Sequence, residues 1–185
     1  MEKIVLKDFL KLKKENLLGK IICFPTDTVY GVAASLEDSK SKERLYKMKN
    51  RNLDKPFAIL CYNFAQIKSK VLKVSKKTKS LMKKYWPGAL TIVLETNTTP
   101  LAFRVPNSKI ALKILKKFGP FYTTSVNESG EEPINEISLI EEKYCNDIDY
   151  LITDKATFST VASTVVKVTN DKIELIREGE IIVNE

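Results

Sequence analysis

Lys49, Arg51 and Lys55 fall within seven residues of one another, just before Pro56 and the short apolar run Phe57-Ala58-Ile59-Leu60-Cys61. A loop joining a helix to a strand in this way can turn two or three cations toward one anion. Arg104 lies inside another apolar run, Leu101-Ala102-Phe103-Arg104-Val105. An unpaired buried charge is very costly, so this arginine needs either a protein carboxylate or a bound anion. Short oxygen-bearing side chains collect where two further apolar runs end. Ile21-Ile22-Cys23-Phe24 leads into Pro25-Thr26-Asp27-Thr28-Val29-Tyr30-Gly31, and Phe121-Tyr122-Thr123-Thr124 leads into Ser125-Val126-Asn127-Glu128-Ser129-Gly130. Hydroxyls, an amide and free backbone N–H groups suit an oxyanion or a nucleobase. They equally suit plain turns, the first of them a strand-to-helix turn capped by Thr or Asp. Ser163-Thr164 and Arg177 complete the set of polar residues at run ends.

The chain has no histidine, which excludes histidine triads, histidine acid–base steps and histidine metal sites. Neither a Gly-x-x-x-x-Gly-Lys-[Ser/Thr] nor a Gly-x-Gly-x-x-Gly motif is present, so a nucleotide would have to bind without a P-loop or a Rossmann turn. Cys23, Cys61 and Cys145 form no Cys-x-x-Cys pair; Cys23 and Cys61 read as small core residues. The formal charge of +8 favours polyanionic partners such as nucleotides, RNA or acidic surfaces. The lysine-dense run from Lys68 to Lys84 reads as a solvated face.

The elements that must hold these residues follow from periodicity. At 185 residues and 43% hydrophobic, the chain is expected to form a single domain over residues 1–185, burying about two thirds of its unfolded surface. No apolar stretch approaches the ~18–20 residues of a membrane span, and the start lacks a signal-like segment, so no membrane association and a cytoplasmic location are expected. Helices are predicted over residues 4–18, 40–49 (capped by Asp38 or Ser39), 76–85 (capped by Ser75), 110–118 and 137–144. Strands are predicted over 21–24, 57–61, 90–94, 101–105, 121–124 and 150–153, with a hairpin of 163–169 and 172–177 joined at Asn170-Asp171. Alternating helices and strands that end in a local hairpin predict an α/β fold, a twisted mixed sheet of parallel and antiparallel strands with flanking helices.

Taken in order, Pro-Thr-Asp-Thr-Val-Tyr-Gly at 25–31, Lys-x-Arg at 49–51, Lys55-Pro56, Trp86-Pro87-Gly88, Arg104-Val105-Pro106, Ser-Val-Asn-x-Ser-Gly at 125–130, Ser163-Thr164-Val165-Val166 and Arg177-x-Gly179 resemble the YrdC/Sua5 family, the L-threonylcarbamoyladenylate synthases. The likeness covers roughly residues 10–180 and is to the short, YrdC-like single-domain form. It implies a nucleotidyltransferase that condenses L-threonine, bicarbonate or CO2 and ATP to threonylcarbamoyl-AMP and pyrophosphate. The product would supply an adenosine of tRNAs that read codons beginning with A. By the same resemblance, Thr28, Arg104, Thr123 and Ser163 contact threonine; Arg51, Lys55, Ser125, Asn127 and Arg177 contact ATP; and Lys49 and Arg51 carry the catalytic phosphate clamp. Mg2+ is expected to ride on the nucleotide, with no permanently bound cofactor and no metal site of the protein's own. Partners by analogy are tRNA and the proteins that transfer the group to it. Asp27 is a candidate general base.

The sequence departs from the family pattern at Val126, Leu60, Pro100 and Ala162, and at Asp154-Lys155-Ala156, where a glycine pair is common. These departures bear on loop geometry around 154–162 and on threonine side-chain recognition. A competing reading is a module that holds double-stranded RNA or tRNA by phosphate contacts without catalysis.

Overall fold

A computed structural model describes residues 1–128 and 131–183; Ser129 and Gly130, the end of the Ser-x-Asn motif, lie outside the described residues. Among the described residues ten strands make one sheet: β1 (Glu2–Ile4), β2 (Ile21–Pro25), β3 (Tyr30–Ser35), β4 (Ala58–Leu60), β5 (Leu90–Leu94), β6 (Leu101–Arg104), β7 (Phe121–Ser125), β8 (Tyr150–Ile152), β9 (Thr164–Thr169) and β10 (Lys172–Arg177). Their spatial order is β1-β8-β2-β3-β7-β4-β6-β5-β9-β10. Parallel pairs (β1–β8, β2–β8, β4–β6, β5–β9) mix with antiparallel ones (β2–β3, β3–β7, β4–β7, β5–β6, β9–β10). The sheet is therefore mixed, with helices α1 (Leu6–Phe9), α2 (Ser39–Met48), α3 (Lys76–Tyr85), α4 (Lys109–Phe118) and α5 (Ile137–Tyr144) packed around it.

Alternation along the strands sorts the core. Ile22, Phe24, Ala33, Leu60 and Phe121 meet the apolar stripe of α4 (Ile110, Ala111, Ile114, Leu115, Phe118). Ile21, Cys23, Val32 and Ala34 point the other way, onto Leu45 and Tyr46 of α2 and Ile140 and Tyr144 of α5. The central strands are covered on both faces, which is why β2 reads as an unbroken apolar run rather than an alternating one. Oxygen side chains cap α2, α3 and α4: Asp38 accepts from the Lys40 N–H, Ser75 from Thr78 and Ser108 from Ala111.

One expectation fails, and one of two open readings is excluded. Residues 4–18 are not one helix. They form the end of β1, the single turn α1 and a 3-10 turn at Lys14–Leu17. The partners of β1 lie in β8, across the whole chain, so nothing local could signal it. The heptapeptide is not a strand-to-helix turn either. Thr26 to Val29 close a hairpin, with Pro25 opposite Tyr30 and β3 continuing through the small residues Gly31, Val32, Ala33 and Ala34. The β9–β10 hairpin forms where predicted, with Asn170 at φ 52° and Asp171 at φ 58°, the left-handed pair that a two-residue type I′ turn requires.

Candidate active site

The hairpin turn is the floor of a cavity of about 160 Å3. Thr26 shapes the turn. Its hydroxyl oxygen accepts from the N–H groups of Thr28 (3.1 Å) and Val29 (3.2 Å), while the hydroxyl donates to the Val29 carbonyl (2.7 Å). The chain from Asp154 to Ala162 lies across this turn, with the Ser159 N–H donating to the Asp27 carbonyl and the Thr160 N–H to that of Thr28. Beside it, Gly31 must lack a side chain: a Cβ there would approach the Thr123 methyl to 2.8 Å.

Arg104, on β6, is buried in one wall. Its Nε donates to the Gly88 carbonyl (2.9 Å), Nη1 to Thr28 Oγ1 (2.9 Å) and Nη2 to Asp27 Oδ1 (2.5 Å). The side chains of this ion pair are 6% and 15% exposed. The carboxylate partner that sequence reasoning left open is thus Asp27, and a carboxylate so engaged is a poor candidate for a free base.

Arg177, at the end of β10, donates from Nη2 to the Ser163 carbonyl (2.7 Å) and hydroxyl (3.2 Å), and from Nε to the same carbonyl. The Ser163 hydroxyl in turn pairs with Thr91 Oγ1 at 2.8 Å. Gly179 lets the tail cross this point. A Cβ there would fall 2.4 Å from backbone atoms of Ala162, Ser163 and Thr164. Burial, and then the nearby Arg104 charge, push the Arg177 pKa down.

Arg51 owes its direction to a Schellman closure of α2. Asn50 takes φ 42°, its N–H donates to the Lys47 carbonyl and the Arg51 N–H to the Tyr46 carbonyl. The guanidinium then lies over the Phe57 ring (4.9 Å to the centroid) and donates to the Lys55 carbonyl (2.6 Å).

The cavity collects Thr28, Arg51, Arg104, Thr123, Ser125, Ser163 and Arg177 from the sequence-predicted residues. Lys49 and Asn127 sit behind it, around the Ser125 turn, and Lys55 is exposed outside it. Thr91 was missed by sequence reasoning; Leu60, flagged as a departure from the family pattern, and Gly31, the end of the 25–31 motif, also line the wall. Thr91 carried a readable signal, a buried hydroxyl inside the β-branched run Leu90 to Leu94. Three guanidinium groups and a ring of hydroxyls therefore face a cavity whose lining includes no carboxylate among the described residues. Such a surface can bind two anions at once and stabilise charge that develops between them.

The sequence pattern of the Sua5/YciO/YrdC family, described as telomere recombination, matches residues 17–179. A Methanocaldococcus jannaschii protein is 33% identical over 178 residues, covering 92% of this chain and 84% of its own. The threonylcarbamoyl-AMP synthase of Pyrococcus abyssi is 30% identical over 178 residues, covering 90% of this chain and 52% of its own. The chain thus spans about half the length of that relative. The crystal structure of P. abyssi Sua5 complexed with L-threonine superposes with a TM-score of 0.83 at 29% identity, covering 94% of this chain and 54% of that one.

Proposed function

The chain belongs to the Sua5/YciO/YrdC family, and we propose that its cavity makes L-threonylcarbamoyl-AMP and pyrophosphate from L-threonine, bicarbonate or CO2, and ATP. The observation that carries this reading is the convergence of Arg51, Arg104 and Arg177 on one cavity with no carboxylate in its lining among the described residues. Relatives in sequence are named threonylcarbamoyl-AMP synthases, and P. abyssi Sua5 was crystallised with L-threonine.

The threonine nitrogen, as the neutral amine, attacks the carbon of CO2 and loses a proton to solvent, giving a carbamate. A carbamate oxygen then attacks the α-phosphorus. The bond from that phosphorus to the bridging oxygen breaks, and pyrophosphate leaves. The threonine carboxylate fits Arg104, because Thr28, Asp27 and Gly88 hold the guanidinium still and leave one N–H on each terminal nitrogen. Arg51 and Arg177 face the phosphates, where positioned cations stabilise the departing charge. The Ser163 hydroxyl, paired with Thr91, serves the threonine side together with Thr123; Ser125 serves the nucleotide side.

No group of three or more metal-ligating side chains occurs among the described residues. A magnesium ion would therefore be carried by the phosphate oxygens of the nucleotide. No helix among the described residues is long and apolar enough to cross a membrane. A cytoplasmic site of action, with tRNA and the proteins that transfer the group downstream, is part of this proposal. The alternative of RNA binding without chemistry is the weaker reading, since the polar residues line a cavity instead of spreading along one face.

The test is pyrophosphate release from ATP and bicarbonate, with and without L-threonine, and with L-serine alongside. Release is expected to require L-threonine. Release that ignores the amino acid would sink the proposal.

A further inference from the structure

Lys49 and Arg51 are two residues apart, yet the Schellman closure at Asn50 sends them to different places. The Lys49 side chain runs under the turn that follows β7 and is only 7% exposed. Its ammonium donates to the Ser125 carbonyl (3.1 Å), to Asn127 Oδ1 (3.0 Å) and to the Asn127 carbonyl. An ammonium has three N–H bonds, and all three are used. Asn127 Oδ1 accepts a further bond from the Ser125 hydroxyl (2.6 Å), and its Nδ2 donates to the Glu131 carbonyl (2.7 Å). Lys49 is absent from the cavity lining, while Arg51 and Ser125 are in it.

We propose that Lys49 is a positioning residue: its ammonium ties the end of α2 to the Ser125–Asn127 turn, so that Ser125 keeps its place in the cavity wall beside Arg51, whose own direction the Schellman closure and the Lys55 carbonyl fix, and Lys49 itself does not touch the phosphates. The assignment rests on the proposed adenylate chemistry and changes the part Lys49 plays in it. Loss of the side chain removes all three N–H donors from these acceptors and frees the turn. A guanidinium, planar and larger, does not fit the same enclosed triangle of oxygens.

The charged groups facing Lys49 are Arg51 on its own segment and Glu128 on the turn. Burial chiefly, and Arg51 next, bring its pKa down to about 8, against the pull of Glu128. The neutral amine has two N–H bonds for three acceptors, so the turn loosens as pH rises through that value.

The experiment measures turnover and, by calorimetry, pyrophosphate affinity for the wild-type protein and for Lys49→Met, Lys49→Arg and Arg51→Ala. Lys49→Met and Lys49→Arg are expected to lose turnover by roughly a hundredfold, the cost of a small misplacement, and to bind pyrophosphate within about threefold of wild type. Arg51→Ala is expected to weaken pyrophosphate by roughly tenfold or more. In the wild-type protein, turnover should fall through pH of about 8 while pyrophosphate affinity holds; this arm decides the matter if the variants do not fold. Loss of pyrophosphate affinity in Lys49→Met equal to that in Arg51→Ala, restoration of turnover by Lys49→Arg, or affinity falling with turnover in the pH series would overturn the assignment. A wild-type protein that bound no pyrophosphate would overturn the reading of the site, and this assignment with it.

Discussion

Arg104 shows what a single side chain can and cannot reveal. Its place in an apolar run announced a buried charge, but its partners come from residues 27, 28 and 88, far off in the chain. Removing it would strand the Asp27 carboxylate, and breaking such a buried pair costs about 3–5 kcal/mol. Thr28→Val is the cleaner probe. It keeps the shape and withdraws one acceptor, about 1–2 kcal/mol of hydrogen bonding. The KM for L-threonine is expected to rise roughly tenfold with the KM for ATP unchanged, as steady-state kinetics would read; an equal rise in both would contradict the division of the cavity. Gly179 offers a second probe. A methyl at that position meets three backbone atoms at 2.4 Å. Overpacking of this kind costs about 1–3 kcal/mol, so Gly179→Ala should lower the melting temperature and weaken ATP by displacing Arg177 from Ser163. An unchanged melting temperature would mean the tail does not cross there. The glycine was visible in the sequence, but its reason was not: it lies in how closely two backbones approach.

At the level of elements, patterns with a local cause were legible. The caps at Ser75 and Asp38, the helix Lys76–Tyr85 and the Asn170-Asp171 turn all follow from their own residues. What misled was apolar spacing with a remote cause. Leu6, Phe9 and Leu17 imitate one helical stripe, whereas two separate short pieces, α1 and the 3-10 turn, bring them to the α4 layer. Likewise Gly31, Ala33 and Ala34 are poor strand formers that become a central strand because β2 and β7 flank them. The segment 154–162, flagged at Asp154-Lys155-Ala156 for a missing glycine pair, carries its left-handed residue elsewhere. Thr160 sits at φ 69°, a left-handed conformation that a β-branched residue adopts only under strain. That strain is about 1–2 kcal/mol, and glycine's extra unfolded-state entropy takes back about 0.5–1 of it. Thr160→Gly should therefore raise the melting temperature by about 2–4 °C. A fall in differential scanning calorimetry would mean that the Thr160 side chain contributes more than its backbone strain.

For the molecule as a whole, the lack of histidine separates stability from activity along the pH axis. With no imidazole to titrate between about pH 5 and 7, a flat stability profile is expected there. Asp149 contributes to the acid limb, alongside Glu37 and Asp38, whose carboxyls are also held below their ordinary values. Burial opposes the Asp149 charge, but the Ile21 N–H, Lys20 and Arg44 together hold its pKa below the ordinary 3.8. A depressed carboxylate contributes stability above its unfolded value, and that contribution is lost as pH falls through the folded one. Asp149→Asn should partly flatten the melting curve below pH of about 4, where the wild-type curve drops. On the basic side the signs diverge. The Lys49 pKa is about 8 in the native state against an ordinary 10.5. Between those values the unfolded chain binds more protons, so this group favours the native state as pH rises. The opposite slope begins when the unfolded chain ionises Cys23 and Cys61, whose thiols burial pushes up from an ordinary 9.0. Between about pH 8 and 9, then, turnover should fall while the melting temperature holds. Parallel loss of both would show that the alkaline decline is unfolding rather than release of the Ser125–Asn127 turn.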